Sequence, residues 1–227
     1  MEKEIEKSKQ FWNEAYKDLK AEKIDASKIT VLPQMKKIFN AFTAKADTMI
    51  DFGCGGGDMI MTFLFNSKIK KAYGIEKGEN IVSYTSSLMK ENGLGGRAEI
   101  LDDGIEALVP FKKNKVDRII ISNVLDVITL EDCEKIKNEL ISCLKPDGLM
   151  IVKINPTFTK DEFSKMGFTN FKDNLYSKNG IMRARDMPTA SWEEYFKRDF
   201  DIVDYASVNW QTPKFADRMW LLRLRRQ

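Results

Sequence analysis

The chain has 227 residues, enough for one α/β domain with a full core and some elaboration. Its 37 basic and 34 acidic residues leave a net charge of only +3, so no overall field draws it to nucleic acid or to a membrane surface. It contains no histidine, which excludes a Ser-His-Asp or Cys-His hydrolase and removes the usual general base and the commonest metal ligand.

The N-terminal "MEKEIEKSKQ" is charged and lacks the apolar centre of a secretory signal. "IEKSKQFWNEAYKDL" reads as a helix with Ile5, Trp12, Tyr16 and Leu19 on one face. A second amphipathic helix is expected around Pro33, with Met35, Ile38, Phe39 and Phe42 forming its apolar stripe. From Asp47 strands and helices alternate. "TMIDF", "KAYGIE", "RAEIL", "VDRIIIS" and "LMIVKI" read as five strands, the last entered through a "KPDG" turn. Between them "DMIMTFLFN", a segment carrying Ile81, Tyr84, Thr85, Leu88 and Met89, and "EDCEKIKNELISCL" read as helices. Cys133 and Cys143 fall on the inner face of the last helix. With Cys54 they make an odd set without metal-ligand spacing, so neither a disulfide nor a metal site is expected. The β-α-β-α order implies a parallel sheet with helices on both faces.

Beyond residue 155 the pattern changes. "NLYSKNGIMRAR" reads as a hairpin turning at Asn179-Gly180. "TASWEEYFKRD" reads as a helix with Thr189 or Ser191 as its cap. "FDIVDYASVNW" and "RMWLLRLRR" read as an antiparallel pair at the sheet edge. No apolar run approaches the roughly 20 residues of a membrane span, so no membrane partner is expected, and the odd set of cysteines fits a reducing cytoplasm.

The most informative stretch is "MIDFGCGGGDMI", residues 49–60, where glycines cluster between a strand and a helix. Such a turn lets backbone approach a ligand without Cβ obstruction, at the switch point of a doubly wound sheet. A dinucleotide site wants G-x-G-x-x-G, but Asp58 stands where the third glycine belongs and would face a pyrophosphate. The spacing present is Asp51-x-Gly53-x-Gly55-x-Gly57, which resembles the first motif of the class I S-adenosylmethionine-dependent methyltransferases. "YGIE", "EILDDGIEAL", "VDRIIISNVLDVI" and "LKPDGLMIV" are similar to later segments of that family, from Asp47 to about Ile154.

The resemblance implies a Rossmann-like α/β fold: a doubly wound, mostly parallel sheet with an antiparallel C-terminal strand pair and an N-terminal helical cap. It implies S-adenosylmethionine as cofactor, held by Asp51, Gly53, Gly55, Gly57, Glu76, Asp103 with Gly104 (Asp102 a close second) and Asn123. Glu76 would meet the ribose hydroxyls, a diol matched by a carboxylate that accepts two hydrogen bonds. Asn123 and Asp126 either contact cofactor and substrate or cap the loop after the fourth strand; Asp126 is the one candidate catalytic base. Trp12 and Tyr16 fit core packing, yet family members close an N-terminal helix over the substrate. They therefore join Trp192, Tyr195 and Trp210 as candidate substrate contacts. Cys54 reads as a small loop filler. One domain is expected over 1–227, with a cap in 1–45, a cofactor core in 46–155 and a substrate side in 156–227. The expected reaction is methyl transfer to a small-molecule acceptor. A nucleic-acid methyltransferase would show an Asn/Asp-Pro-Pro-aromatic motif that "SNVLDV" lacks, so a nucleic-acid partner is not favoured. A non-catalytic S-adenosylmethionine-binding protein has the same sequence signature, and no feature reads out the oligomeric state.

Overall fold

The computed structural model describes residues 2–113, 115–209 and 215–225, with side chains from residue 6 onward. Trp210 and the inward face of Ile5 therefore lie outside the described residues.

Helix α1 (Glu2–Glu14) opens the chain, and a 3₁₀ turn at Pro33–Met35 leads into α2 (Lys36–Thr43). The stripe of Met35, Ile38, Phe39 and Phe42 is buried as its period requires. The α1 expectation needs correction, because the helix stops at Glu14 and Leu19 is exposed. Trp12 is 42% exposed and packs into no core, whereas Tyr16 sits in the turn that follows.

Strands β1 (Thr48–Phe52), β2 (Lys71–Glu76), β3 (Ala98–Asp102), β4 (Val116–Ser122) and β5 (Leu144–Ile154) alternate with α3 (Asp58–Asn66), α4 (Glu79–Glu91) and α5 (Leu130–Cys143). These strands pair in parallel. Val116 pairs with Leu144 and Arg118 with Leu149, so residues 145–148, the expected turn, loop out of β5 as a bulge. Helix α6 (Lys160–Lys165) follows, then the short strands β6 (Thr169–Lys172), β7 (Leu175–Lys178) and β8 (Ile181–Arg185), helix α7 (Thr189–Lys197), β9 (Phe200–Val208) and β10 (Asp217–Leu224).

The main sheet runs β3-β2-β1-β4-β5-β10-β9, with β10 antiparallel to both neighbours. Alternation along β1 and β4 divides the interior into two cores. Met49 and Ile120 face one side with Phe42, Phe63 and Leu221; Ile50, Ile119 and Ile121 face the other with Leu140, Trp192 and Trp220. The Asn179-Gly180 hairpin is present, both turn residues having positive φ as a two-residue I′ turn demands. It belongs to a separate three-stranded sheet, β6-β7-β8, which the sequence reading did not include. Thr189 and Ser191 do not cap α7, whose N-cap is Pro188 without a side-chain bond. Helix α1 lies against β8 and α4, bridging the small sheet and the main one. Among the described residues no helix is long and apolar enough to cross a membrane.

Candidate functional site

The glycine turn carries β1 into α3. Gly53, Gly55 and Gly57 all take positive φ, but the space around them differs. A Cβ on Gly53 would lie 2.4 Å from Val124 Cγ2, and one on Gly57 would lie 2.6 Å from Met89 Cε. A Cβ on Gly55 would meet only the Tyr16 hydroxyl, at 3.6 Å. Gly53 and Gly57 thus serve packing, whereas Gly55 keeps backbone open.

Most of the turn's N–H groups are already engaged. Gly53 and Cys54 donate to Ile75 O, and Gly55 donates to Glu76 Oε2 at 2.9 Å. Gly57 donates to Cys54 O. With Glu76 on the Gly55 amide and Asp58 opening α3, a phosphate at this turn would meet carboxylates, unlike in the nests that cradle nucleotide phosphates. The turn suits a ligand without one. Cys54 is buried, and its sulfur fills the space left by Gly74, which bears out its reading as a filler. Burial, then Asp51 and Glu76, hold its thiol protonated.

Glu76 ends β2. Its Oε1 accepts from Lys77 N at 2.8 Å and its Oε2 from Gly55, which fixes the carboxylate and leaves lone pairs for a diol. Burial raises its pKa against the lowering effect of those two bonds. Asp103, just beyond β3, accepts from Gly104 N at 2.7 Å. Both residues border a cavity of about 620 Å³, whereas Asp102 is turned outward and accepts from Gly78 N. Asp51 is also absent from the cavity wall. It is 1% exposed, neither oxygen has a hydrogen-bond partner among the described residues, and burial with Glu76 and Asp58 raises its pKa to about 8.

The same cavity continues across the strand ends. Gly53, Gly55, Asn123 and Asn155 border it from β1, β4 and β5, and Trp12 and Tyr16 from the N-terminal segment. From β2 to β5 is three strand spacings, about 14 Å. Asn123 accepts from Lys153 Nζ at 2.9 Å and donates to Asn155 Oδ1 at 3.2 Å. Past β5 the walls become apolar, with Phe158, Phe168, Met182 and Ala184. Sequence reasoning missed Asn155 and this small-sheet wall. The Asn155-Pro156 break after the fifth strand was the available signal.

Two expectations are corrected by placement. Asp126 does not border the cavity. It is fully buried beneath Asn155, whose N and Nδ2 donate to its Oδ2 at 2.9 and 2.7 Å. Trp192 is 0% exposed in the second core, stacked on Phe196 at 5.7 Å, and Tyr195 packs beside it; neither reaches the cavity. The remaining tryptophan candidate, Trp210, falls outside the described residues.

This chain resembles several known proteins. Over 88 residues it is 26% identical to a protein-lysine N-methyltransferase of Saccharolobus islandicus, a match spanning 39% of this chain and about half (55%) of that relative. Its fold is that of a 1,6-didemethyltoxoflavin-N1-methyltransferase from Burkholderia thailandensis. The two are 13% identical, with a TM-score of 0.67 over 98% of this chain and 86% of the other. An S-adenosylmethionine-dependent methyltransferase from Clostridium acetobutylicum matches with a TM-score of 0.63, at 16% identity, over 84% of this chain and 89% of that one. The methyltransferase-domain family profile matches residues 43–202, well over half of the chain, running from the end of α2 past the glycine turn and Glu76 to β9. On the strength of that match, the chain belongs to the class I S-adenosylmethionine-dependent methyltransferases.

Proposed function

We propose that the protein transfers the methyl group of S-adenosylmethionine to a small-molecule acceptor. The observation that carries this is the two-ended cavity. Its β2–β3 end presents fixed carboxylates, Glu76 and Asp103, and open backbone at Gly55; its far end is apolar and walled by the small sheet and by α1. At about 620 Å³ it falls in the range of small-molecule and cofactor sites.

Glu76 is the group to accept the ribose hydroxyls, with Asp103 and Gly104 beside the adenine and Gly53 and Gly55 under the backbone-facing portion. The bound cofactor supplies a methyl group already activated by its sulfonium. The chain's own task is then to orient the acceptor and exclude water. Fixing two reactants in line contributes several kcal/mol without any proton transfer, which accords with a site bordered by no histidine and not by Asp126. The name of the Saccharolobus relative favours a second reading, methyl transfer to a protein lysine. The apolar far end, where the cavity's charged side chains are Lys9 and Arg183 rather than carboxylates, speaks against a cationic acceptor.

Titration with S-adenosylmethionine and, in parallel, NADH tests the cofactor, and S-adenosylhomocysteine formation over small-molecule and protein acceptor panels tests the acceptor class. Saturable S-adenosylmethionine binding, weakened by Glu76→Ala, with turnover on small molecules is the expected result. NADH binding alone, or turnover on proteins alone, overturns the proposal.

A further inference from the structure

The far end of the cavity carries a cation with no acceptor among the described residues. Arg183 lies in the middle of β8 and borders the cavity. Its guanidinium sits 4.8 Å from the ring of Phe11 and 4.8 Å from the ring of Trp12, both on α1. Among the described residues it donates no hydrogen bond and pairs with no carboxylate. The other buried or half-buried arginines each donate to main-chain carbonyls: Arg97 to Ile69, Arg118 to Phe42, Asp117 and Ala44, Arg185 to Asp173 and Ile128, Arg218 to Asn155 and Met187. Arg183 stands apart from them.

Stacking engages the faces of a guanidinium and leaves its edge of N–H donors free for a planar, forked anion. The strand that carries it is tied down from both sides. Met182 N donates to Ser8 Oγ at 3.1 Å, tying β8 to α1, and Asn155 Nδ2 reaches Arg183 O at 3.4 Å, tying β8 to the end of β5. The cavity's carboxylates, Glu76 and Asp103, stand at the ends of β2 and β3, three and four strands from β5. The near neighbours of Arg183 along the wall are Phe158, Phe168, Met182 and Ala184, with Lys9 adding a second positive charge from α1. A cation without a carboxylate partner among the described residues, beside aromatic and aliphatic walls, is matched by one chemistry: an apolar, ring-bearing body with a carboxylate or phosphate on its rim.

We infer that Arg183 selects an anionic acceptor, an aryl carboxylate or aryl phosphate, and seats it by a forked hydrogen-bonded pair at the far end of the cavity. This rests on the methyl-transfer reading of the same cavity and names the acceptor class that reading leaves open.

The test is calorimetric titration of the protein saturated with S-adenosylhomocysteine. The probes are matched aryl sets that differ only in carrying a carboxylate, a phosphate or a neutral carboxamide. The anionic members are expected to bind roughly tenfold to a hundredfold more tightly than the amides, the range for a charge-assisted hydrogen bond. Arg183→Met, which keeps the stem over the rings, and Arg183→Lys, which keeps the charge but not the fork, are expected to remove most of that margin. In both variants S-adenosylhomocysteine affinity stays within about threefold of wild type, since the carboxylate end is untouched. Whether carboxylates or phosphates gain more identifies the anion. Equal binding of anions and amides, no binding of any anion, or a margin unchanged in Arg183→Met overturns the inference. So does a parallel fall of S-adenosylhomocysteine and anion binding in both variants, which makes Arg183 only a prop for α1. Failure of S-adenosylhomocysteine to bind wild type is a different outcome and sinks the methyltransferase reading together with this one.

Discussion

Asn13 Oδ1 accepts the backbone N–H of Asn80 at 2.9 Å, and Asn80 Nδ2 donates back to Asn13 O at 3.3 Å. Helix α4 has no side-chain cap of its own, because its N-cap is Gly78, and the missing Cβ there is the space that the Asn13 side chain fills. A residue of α1 thus caps a helix of the main fold 67 positions later. Three residues on, Tyr16 is laid over the glycine turn, its ring 5.4 Å from Tyr84. Removal of a capping side chain costs about 1 kcal/mol. Asn13→Ala is therefore expected to lower the melting temperature by a few degrees. It should weaken S-adenosylmethionine binding more than stability alone explains, since Tyr16 loses its anchor. Thermal denaturation and calorimetric titration of the same sample check both effects; unchanged affinity would show that α1 merely rests on the fold.

The three glycines of the turn separate by what an added methyl meets. Gly53→Ala forces a strained φ and puts carbon 2.4 Å from Val124 Cγ2, with backbone on both sides fixed by Ile75 O. Overpacking of this kind costs roughly 1–3 kcal/mol, so loss of folded protein is expected. Gly55→Ala carries the φ cost alone, about 1 kcal/mol, because its methyl enters open cavity. The expected outcome is a modest change in melting temperature with at least a tenfold loss of cofactor affinity. Equal destabilisation by the two substitutions would contradict the separate roles assigned here.

Much of this was legible in the sequence, and the reason is locality. The apolar run after Asp117 in "VDRIIIS" and the glycine spacing after "TMIDF" are set by neighbours along the chain, so β1, α3, β2 and β4 fall where the patterns put them. Local spacing failed where contacts are remote. Trp12 and Trp192 both sit on helices among apolar residues, yet one borders the cavity and the other is core, because β10 covers α7 while α1 spans open space. The small sheet hid for a related reason. Its strand β6 is four residues long, carries a register shift against β7 and shows little burial of its own. Asp102 and Asp103 are adjacent in sequence, and only the turn after β3 decides which faces the cavity.

Asp51 makes stability depend on pH. Its carboxyl is buried without a partner among the described residues, near Glu76 and Asp58, and Lys153 offsets only part of the cost of ionising it. An acid whose native pKa is raised stays protonated in the folded chain while the unfolded chain ionises. Native stability therefore falls as pH rises from the ordinary aspartate value near 4 towards about 8, at up to about 1.4 kcal/mol per pH unit. Asp51→Asn keeps the shape and removes the titration. The variant is expected to gain on wild type across that window in the absence of ligand, and the gain should level off above about pH 8. Denaturant titrations at several pH values give the difference directly. Parallel curves for the two proteins would mean that Asp51 is ionised in the native state.

Asp126 offers the sharpest contrast between a structural and a chemical role. Its Oδ2 receives both N–H groups of Asn155, it is fully buried, and burial keeps its pKa raised despite those bonds. Through Asn155 it sets one corner of the cavity without bordering it. Asp126→Ala strands two buried donors and is expected to cost about 2–3 kcal/mol. Asp126→Asn retains an acceptor for the Asn155 amide and cannot act as a base. We expect it to keep kcat within about tenfold of wild type and leave the pH profile of kcat unchanged, because acid–base catalysis contributes roughly a hundredfold or more where it operates. A loss of that size, with disappearance of the acidic limb of the profile, would return Asp126 to the role of proton acceptor. It would also require a movement of the β4–α5 loop that turns its carboxylate into the cavity.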